Sequence, residues 1–269
     1  MKRRDFLTAG AAVVGAGFLQ KENAVQANET PAELRELIEV RILYAQSEDA
    51  KKRLLDRCGK ILIPAHRQLG FRKTGILSLD RSLHADDKSL DPIYENAVFL
   101  ITSAPNFEKL EAFHELLHTV TDADRRIQTY AENALYSEME SSLLRAFPHC
   151  PVLEVPTLSP NRILQFRRYF SPSCNRNRAK RSMFDVRGEL DLFRRCGMAP
   201  VFFGEMLYGP VMPNVSYMLS FEDDEARQTG WQKFKTSDEW NTMKVEPEFK
   251  ETATRIRNLF LRPTPESEI

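Results

Sequence analysis

The order of predicted strands and helices occurs twice along the chain, and this repeat limits the folds it can adopt. The first half alternates apolar and polar residues early, and later shows helical spacing of apolar residues. Its predicted elements are a strand at 38–44, a helix from Ser47 to Gly70 with a kink at Pro64, strands at 71–79 and 94–102, a helix from Phe107 and a strand at 141–147. This βαββαβ order is typical of ferredoxin-like domains.

The second half repeats that order after a proline-rich segment at 148–161. Its predicted elements are a strand at 163–170, a helix at 175–196, strands at 201–208 and 215–221, a helix from Asp223 and a strand at 255–261. Gly70 and Gly197 end the first helix of each half at matching places, which indicates a duplication. We therefore predict an α+β protein with two tandem domains joined by a linker.

The N-terminus has the features of an export signal of the twin-arginine type. Arg3 and Arg4 precede Phe6, a short apolar stretch rich in glycine and alanine follows, and small residues end the segment near Ala27. The apolar stretch is too short to span a membrane, for which roughly 20 residues are needed. We predict a signal at 1–27, export to the periplasm and no stable membrane anchor after cleavage.

Charge and cysteine usage exclude several classes of protein. Lys+Arg and Asp+Glu are equal at 38 each, so no net field favours nucleic acid as a partner. The phosphate-binding patterns GxGxxG and GxxxxGK[ST] are absent from the sequence after the signal. Cys58, Cys150, Cys174 and Cys196 form no CxxC pair, so we predict neither a cysteine zinc site nor a particular disulfide.

Several motifs of the second half resemble those of the NIPSNAP family. The matching segments are Gly188 to Arg195 (GELDLFRR), Pro200 to Glu205 (PVFFGE), Gly209-Pro210, Met212 to Asn214 (MPN), Tyr217 to Leu219 (YML), Trp231, Asp238 to Trp240 (DEW) and Leu261 to Pro263 (LRP). Together they span most of residues 162–265. Over residues 36–147 the resemblance is weaker and depends on the order of elements.

The resemblance implies a tandem form of the dimeric α/β-barrel, with a divergent first domain at 36–147 and a NIPSNAP domain at 162–265. That family has no accepted set of catalytic residues, so none is carried over to this chain. Our leading hypothesis is an exported protein of unassigned activity that binds a small apolar ligand or a protein partner. The alternative, by analogy with the superfamily, is a cofactor-light monooxygenase or isomerase acting in the barrel cavity. Homo-oligomer formation is compatible with either.

The sharpest catalytic motif in the sequence is an HExxH on a predicted helix, formed by His114, Glu115 and His118. Histidines four residues apart share a helix face and can bind zinc beside a glutamate base. Glu132, Glu138 or Glu140 could supply a third ligand. The resemblance instead predicts an ordinary amphipathic helix here, so zinc hydrolysis is a remote alternative and no metal site is predicted.

A second set of candidates lies on the predicted sheet of the second half. Alternation from Val201 places Phe203 and Glu205 on one face of a strand, where the carboxylate needs solvent or a partner such as Arg167 or Arg168. A structural ion pair is the plain interpretation. In the functional interpretation, Glu205 is the candidate catalytic base and lines the barrel space with three ligand-binding residues, Arg167, Tyr169 and Tyr217.

Two further groups are expected to lie at the surface. The five histidines, His66, His84, His114, His118 and His149, are the candidate axial ligands of a haem, but no local pattern distinguishes one of them. We predict solvated histidines and no cofactor, while haem and zinc stay open. The basic residues Arg176, Arg178, Lys180 and Arg181 indicate a solvated helix face, with an anion or another chain as the alternative.

Overall fold

The computed structural model describes residues 35–71, 73–85, 87–88, 90–122 and 135–269, with only the backbone for 116–122. The expected signal at 1–27 and Glu132 lie outside the described residues. So does the side chain of His118. Within the described ranges, no helix is both long enough and apolar enough to cross a membrane.

The described chain follows the order expected from the sequence. Its strands are β1 (Leu37–Ala45), β2 (Thr74–Leu79), β3 (Ala97–Ala104), β4 (Tyr136–Ala146), β5 (Ile163–Phe170), β6 (Ala199–Tyr208), β7 (Asn214–Phe221) and β8 (Arg255–Pro263). Its helices are α1 (Glu48–Arg57), α2 (Ile63–Gln68), α3 (Phe107–Asp122), α4 (Cys174–Phe184), α5 (Glu189–Arg195), α6 (Asp224–Thr236) and α7 (Asp238–Met243).

The eight strands form one closed barrel in a mixed α+β fold. Their order around the barrel is β1-β3-β2-β8-β5-β7-β6-β4, and the ring closes between β4 and β1. Two antiparallel pairings join the halves: Leu77 of β2 faces Pro263 of β8, and Leu144 of β4 faces Met206 of β6. The halves therefore share one hydrogen-bonded sheet.

The barrel interior is packed with apolar side chains from all eight strands. One continuous buried cluster includes Ile38 of β1, Phe99 of β3, Phe166 of β5 and Met218 of β7. Alternate residues point outward and pack beneath helices. Tyr217 of β7, for example, joins Phe193 of α5 and other residues in a second cluster, and the first half has a corresponding cluster under α1 to α3. Both faces of the sheet are thus covered.

Three local features differ from the sequence prediction. The helix expected at 175–196 is two helices, because Gly188 has a left-handed backbone (φ 90°) at the start of α5. In the first half a π-helical turn at Cys58–Leu62 separates α1 from α2, just before Pro64. In β6 an irregular register between Pro200 and Phe202 places Val201 and Phe202 together in the interior cluster, so Val201 does not share the face of Phe203.

The prediction that all five histidines are solvated is wrong for His66 and His84. His84 is buried, and its Nε2 accepts a hydrogen bond from the backbone N–H of Phe260 at 2.9 Å. His66 is fully buried, with its ring centroid 4.0 Å from that of Phe113. Its Nδ1 lies 2.6 Å from Thr74 Oγ1, whereas its Nε2 has no hydrogen-bond partner among the described residues. Periodicity did not separate these histidines from exposed ones.

Burial of His66 predicts an acid-sensitive fold. Desolvation, aided by Arg41, lowers the pKa of His66 from 6.5 to about 3. Because the unfolded state takes up this proton first, the stability it confers is complete above about pH 6.5 and is lost as the pH falls towards 3. Acidification from pH 7 to pH 5 should cost about 2 kcal/mol at this residue.

Urea unfolding at the two pH values measures the effect. His66→Gln should be less stable than the wild-type protein at pH 7. Acidification to pH 5 should then destabilise it by about 2 kcal/mol less than it destabilises the wild type. The control Thr74→Val, which keeps the imidazole, should retain it. An unchanged pH dependence in His66→Gln would contradict the assignment.

Candidate functional site

A cleft of about 630 Å³ lies between the sheet and the helices of the second half. Strands β5 and β8 form its floor, α6 forms a wall, and α4, α5 and α7 each contribute one side chain. Among the lining residues are Gln165, Arg167 and Tyr169 of β5, Asn258 and Phe260 of β8, Trp231 of α6 and Trp240 of α7. These strand residues point away from the barrel interior, so the cleft belongs to the helix-facing side of the sheet.

Arg167 occupies an aromatic cage in this cleft. Its guanidinium carbon lies 4.8 Å from the ring centroid of Trp231, 5.3 Å from that of Tyr169 and 6.0 Å from that of Tyr217. Aromatic faces stabilise a cation at such distances. The Nε atom is buried without a hydrogen-bond partner among the described residues, while the side chain as a whole is only partly buried. The rings therefore surround the guanidinium of Arg167 but leave it partly exposed to the cleft.

Gln165 fixes the orientation of the cage. Its Oε1 accepts a hydrogen bond from Trp231 Nε1 at 2.7 Å, and its Nε2 donates to Asn258 Oδ1 at 2.6 Å. The amide thus connects β5, β8 and α6 with both of its polar ends in use. Since a buried indole N–H needs an acceptor, this contact determines which way the Trp231 ring faces.

A buried ion pair forms the inner wall of the cleft. Lys180 Nζ on α4 lies 3.0 Å from Glu189 Oε2 on α5, and both side chains are at most 5% exposed. The ammonium also lies 3.9 Å from the Phe184 ring centroid. Burial raises the pKa of Glu189, while Lys180 and Arg167 oppose the shift. The carboxyl is therefore more basic than an ordinary glutamate.

Two tyrosines lie behind the arginine. The rings of Tyr169 and Tyr217 are stacked at 5.7 Å, and their hydroxyl oxygens are 3.4 Å apart. Tyr217 is fully buried and packs flat on Phe203 at 4.5 Å. Burial raises the pKa of Tyr217, although Arg167 opposes the shift. Its hydroxyl is therefore neutral at physiological pH and able to donate a hydrogen bond.

Three of the four site residues expected from the sequence meet in the structure, but on the other side of the sheet. Arg167, Tyr169 and Tyr217 contact one another beneath the helices rather than in the barrel interior, which apolar side chains fill. Glu205 does not join them, because β7 separates its strand from β5 and because it faces Val215 of β7 rather than Tyr217. It pairs with Arg181 of α4 rather than with Arg167 or Arg168.

The HExxH histidine His114 belongs to a different cluster, in the first half. Its ring contacts the Arg41 guanidinium, with Nδ1 3.1 Å from Nη2, and lies 3.4 Å from Glu39 Oε1. A neighbouring guanidinium is unfavourable for a divalent cation. Among the described residues, no group of three histidine, cysteine or carboxylate side chains is placed to hold a metal ion.

Lys180 corrects the expectation that the basic residues of α4 form a solvated face. It is buried and paired, whereas Arg176 is half-buried and donates to the Glu248 carbonyl, and Arg178 is exposed. The four cysteines are free thiols, of which Cys174 is exposed and Cys58, Cys150 and Cys196 are buried.

The sequence prediction missed Gln165, Glu189 and Trp231 as site residues. Glu189 looks like an ordinary acidic residue in the first turn of a helix, and its partner lies on a separate helix. Trp231 was noted only as part of the family resemblance. The strand alternation that placed Arg167 and Tyr169 on one face also places Gln165 there. The sequence therefore contained enough information to predict Gln165 as a site residue.

Comparison with solved structures shows the same overall fold in proteins of very different sequence. One, from Lactobacillus acidophilus NCFM and provisionally described as a monooxygenase, has a TM-score of 0.56 at 8% identity and covers 85% of this chain and 94% of its own. A protein from Fusobacterium nucleatum with the same description has a TM-score of 0.54 at 5% identity, covering 85% and 92%. An anthrone oxidase-like protein has a TM-score of 0.53 at 10% identity, covering 87% and 94%.

These identities establish the fold alone, and no curated protein matches the sequence. The family model for NIPSNAP matches residues 178–268, which include α5, the strands β6 to β8 and the cleft residues of α6. The resemblance expected from the sequence motifs is therefore confirmed for this part of the chain. Residues 178–268 form a NIPSNAP domain.

Proposed function

We propose that the chain binds a small, largely aromatic molecule in the cleft between β5, β8 and α6. The observation that carries this proposal is the partly exposed Arg167 held in a cage of Trp231, Tyr169 and Tyr217. Binding sites of small molecules combine apolar walls with a few placed polar groups, and this cleft has both. The packed barrel interior argues against a ligand there.

The chain has two tryptophans, and both line the cleft. Intrinsic tryptophan fluorescence therefore reports its occupancy. We expect 3-phenylpropanamide, which does not absorb where tryptophan is excited, to change the emission in a saturable way. Trp231→Phe should remove most of the change and weaken binding about tenfold, because the ring packs against the ligand as well as against Arg167.

A matched aliphatic ligand and a variant distant from the cleft serve as controls for this experiment. Hexanamide should bind more weakly than the aromatic amide, and Tyr208→Phe, on an exposed residue outside the cleft lining, should leave the titration unchanged. A titration that is non-saturable, or that is unaffected by Trp231→Phe, would exclude the cleft as the site.

A second candidate is oxygenation of the bound aromatic without a bound cofactor. The buried carboxyl of Glu189 favours it, because its raised pKa suits it to accept a proton from an acidic C–H or phenol group. Three proteins with the same fold carry oxygenase or oxidase descriptions, which supports the choice of reaction only as an analogy.

Oxygen uptake with anthrone tests this second candidate. One O₂ would be consumed per anthrone: the methylene carbon loses two hydrogens and gains one oxygen, and the other oxygen leaves as water. Glu189→Gln, which keeps the shape of the base but not its basicity, should slow uptake about a hundredfold. Uptake no faster than the protein-free reaction, or equal in the variant, would leave only the binding function.

We infer that each half is a ferredoxin-like unit and that the two arose by duplication. The spatial order of strands is β4-β1-β3-β2 in one half and β8-β5-β7-β6 in the other, which is the same permutation of the fourth, first, third and second strand. Each half also has its helices after its first and third strands. The segment at 148–161 is the linker in this interpretation.

We also propose that the protein works outside the bacterial cytoplasm, because of the paired Arg3 and Arg4 and the apolar stretch that follows. Immunoblots of periplasmic and cytoplasmic fractions test this. The double variant Arg3→Lys, Arg4→Lys should accumulate in the cytoplasm, and the control Lys2→Gln should still be exported. Export of the double variant would exclude the twin-arginine route.

A further inference from the structure

We infer that the ligand of this cleft carries a negative charge, which Arg167 binds. The inference depends on the proposed binding function and adds the chemical class of the ligand: an aromatic carboxylate or a comparable aromatic anion. It follows from a comparison of the two halves of the chain.

Both halves place an arginine at the same position of the first strand. Arg41 on β1 faces Leu100 of the third strand and Ser141 of the fourth. Arg167 on β5 faces Tyr217 and Asn258 of the corresponding strands. Each guanidinium lies over an aromatic ring of the second helical region, 5.1 Å from Phe113 in one half and 4.8 Å from Trp231 in the other.

The two arginines differ in the residue two positions earlier on the same face of the strand. In the first half this residue is Glu39, whose Oε1 lies 2.7 Å from Arg41 Nε, and both side chains are at most 5% exposed. In the second half it is Gln165, which is neutral. Arg41 is therefore neutralised within its own strand, and Arg167 is not.

The other charges of the cleft do not replace the missing carboxylate. Among the described residues of the lining, Glu189 is the only carboxylate. Its Oε2 forms an ion pair with Lys180 at 3.0 Å, and its interaction with Arg167 is electrostatic only. The lining also contains four cationic side chains, those of Arg167, Lys180, Arg227 and Lys235. Asp224 pairs with Arg227 at 2.7 Å, at the α6 end of the cleft. An excess of positive charge therefore remains around Arg167.

A partly buried arginine that forms no ion pair with a carboxylate of the described residues favours an anion. Hydrogen bonds in which both groups are charged are about twice as strong as neutral ones, and a planar guanidinium binds a carboxylate through two parallel N–H groups. The surrounding rings exclude water and provide faces for an aromatic body. A neutral ligand in the same position would gain the contacts with the aromatic rings but not the charged hydrogen bonds to Arg167.

Calorimetric titration with two ligands of the same shape tests the inference. These are 3-phenylpropionate and 3-phenylpropanamide, which differ in charge but hardly in size. The wild-type protein should bind the carboxylate about tenfold or more tightly than the amide. Arg167→Met should remove this preference and leave amide binding within about threefold.

Gln165→Glu provides the sharpest variant. It reproduces the Glu39–Arg41 pair of the first half while keeping an oxygen acceptor for Trp231 Nε1. It should weaken binding of the carboxylate about tenfold and leave the amide unchanged. Arg178→Met is the control: it removes the same charge from an exposed residue outside the cleft lining. This control should keep the preference for the carboxylate.

The outcomes separate this inference from the function on which it depends. If the amide binds as tightly as the carboxylate, the charge assignment is wrong and the binding cleft stands. If the carboxylate preference survives both Arg167→Met and Gln165→Glu, Arg167 is not the group that binds the anion. If neither ligand binds to the wild-type protein, the proposed function itself fails.

Discussion

Closure of the eight strands into one ring determines where this molecule can carry chemistry. The interior is filled by side chains from every strand, and helices cover much of the outside of the sheet. Because side chains alternate along a strand, each residue meets either the packed interior or the helices. A polar group on the helix-facing side must find a partner within that layer or reach solvent at its edge. The cleft beside β5 and β8 is such an edge.

The charges buried in this layer are costly, so each needs a partner or a use. Glu39 with Arg41, and Lys180 with Glu189, are pairs in which both members are almost fully buried. Replacing such a pair by apolar residues is often neutral or stabilising by 1–4 kcal/mol in order of magnitude, whereas removing one partner costs about 3–5 kcal/mol. Buried pairs are therefore weak evidence for stability. In the second half, the pair lies in the wall of a cleft, where its field extends into the cleft.

Periodicity predicted most of the framework because it records which face of an element is buried. It located β5 at 163–170 without error and placed Arg167 and Tyr169 on one face. It failed where a single backbone position overrides the average pattern, as at Gly188, which splits a predicted helix, and at the irregular register of β6, which moves Val201 to the interior. Glu205 looked like a site residue because it is a carboxylate among apolar neighbours. Its partner Arg181 comes from a helix whose packing no local pattern reveals.

The joining of two similar halves in one chain permits a division of labour that identical halves would not allow. A barrel built from two copies of one chain must carry the same site twice, whereas covalently joined halves can diverge. Here the first half has a glutamate beside its strand arginine, and the resulting pair leaves no charge available for a ligand. The second half has glutamine at that position, and its amide instead orients Trp231. One difference, carboxylate against amide, thus separates an arginine that is neutralised within its own strand from the corresponding arginine, which is partly exposed in a cleft.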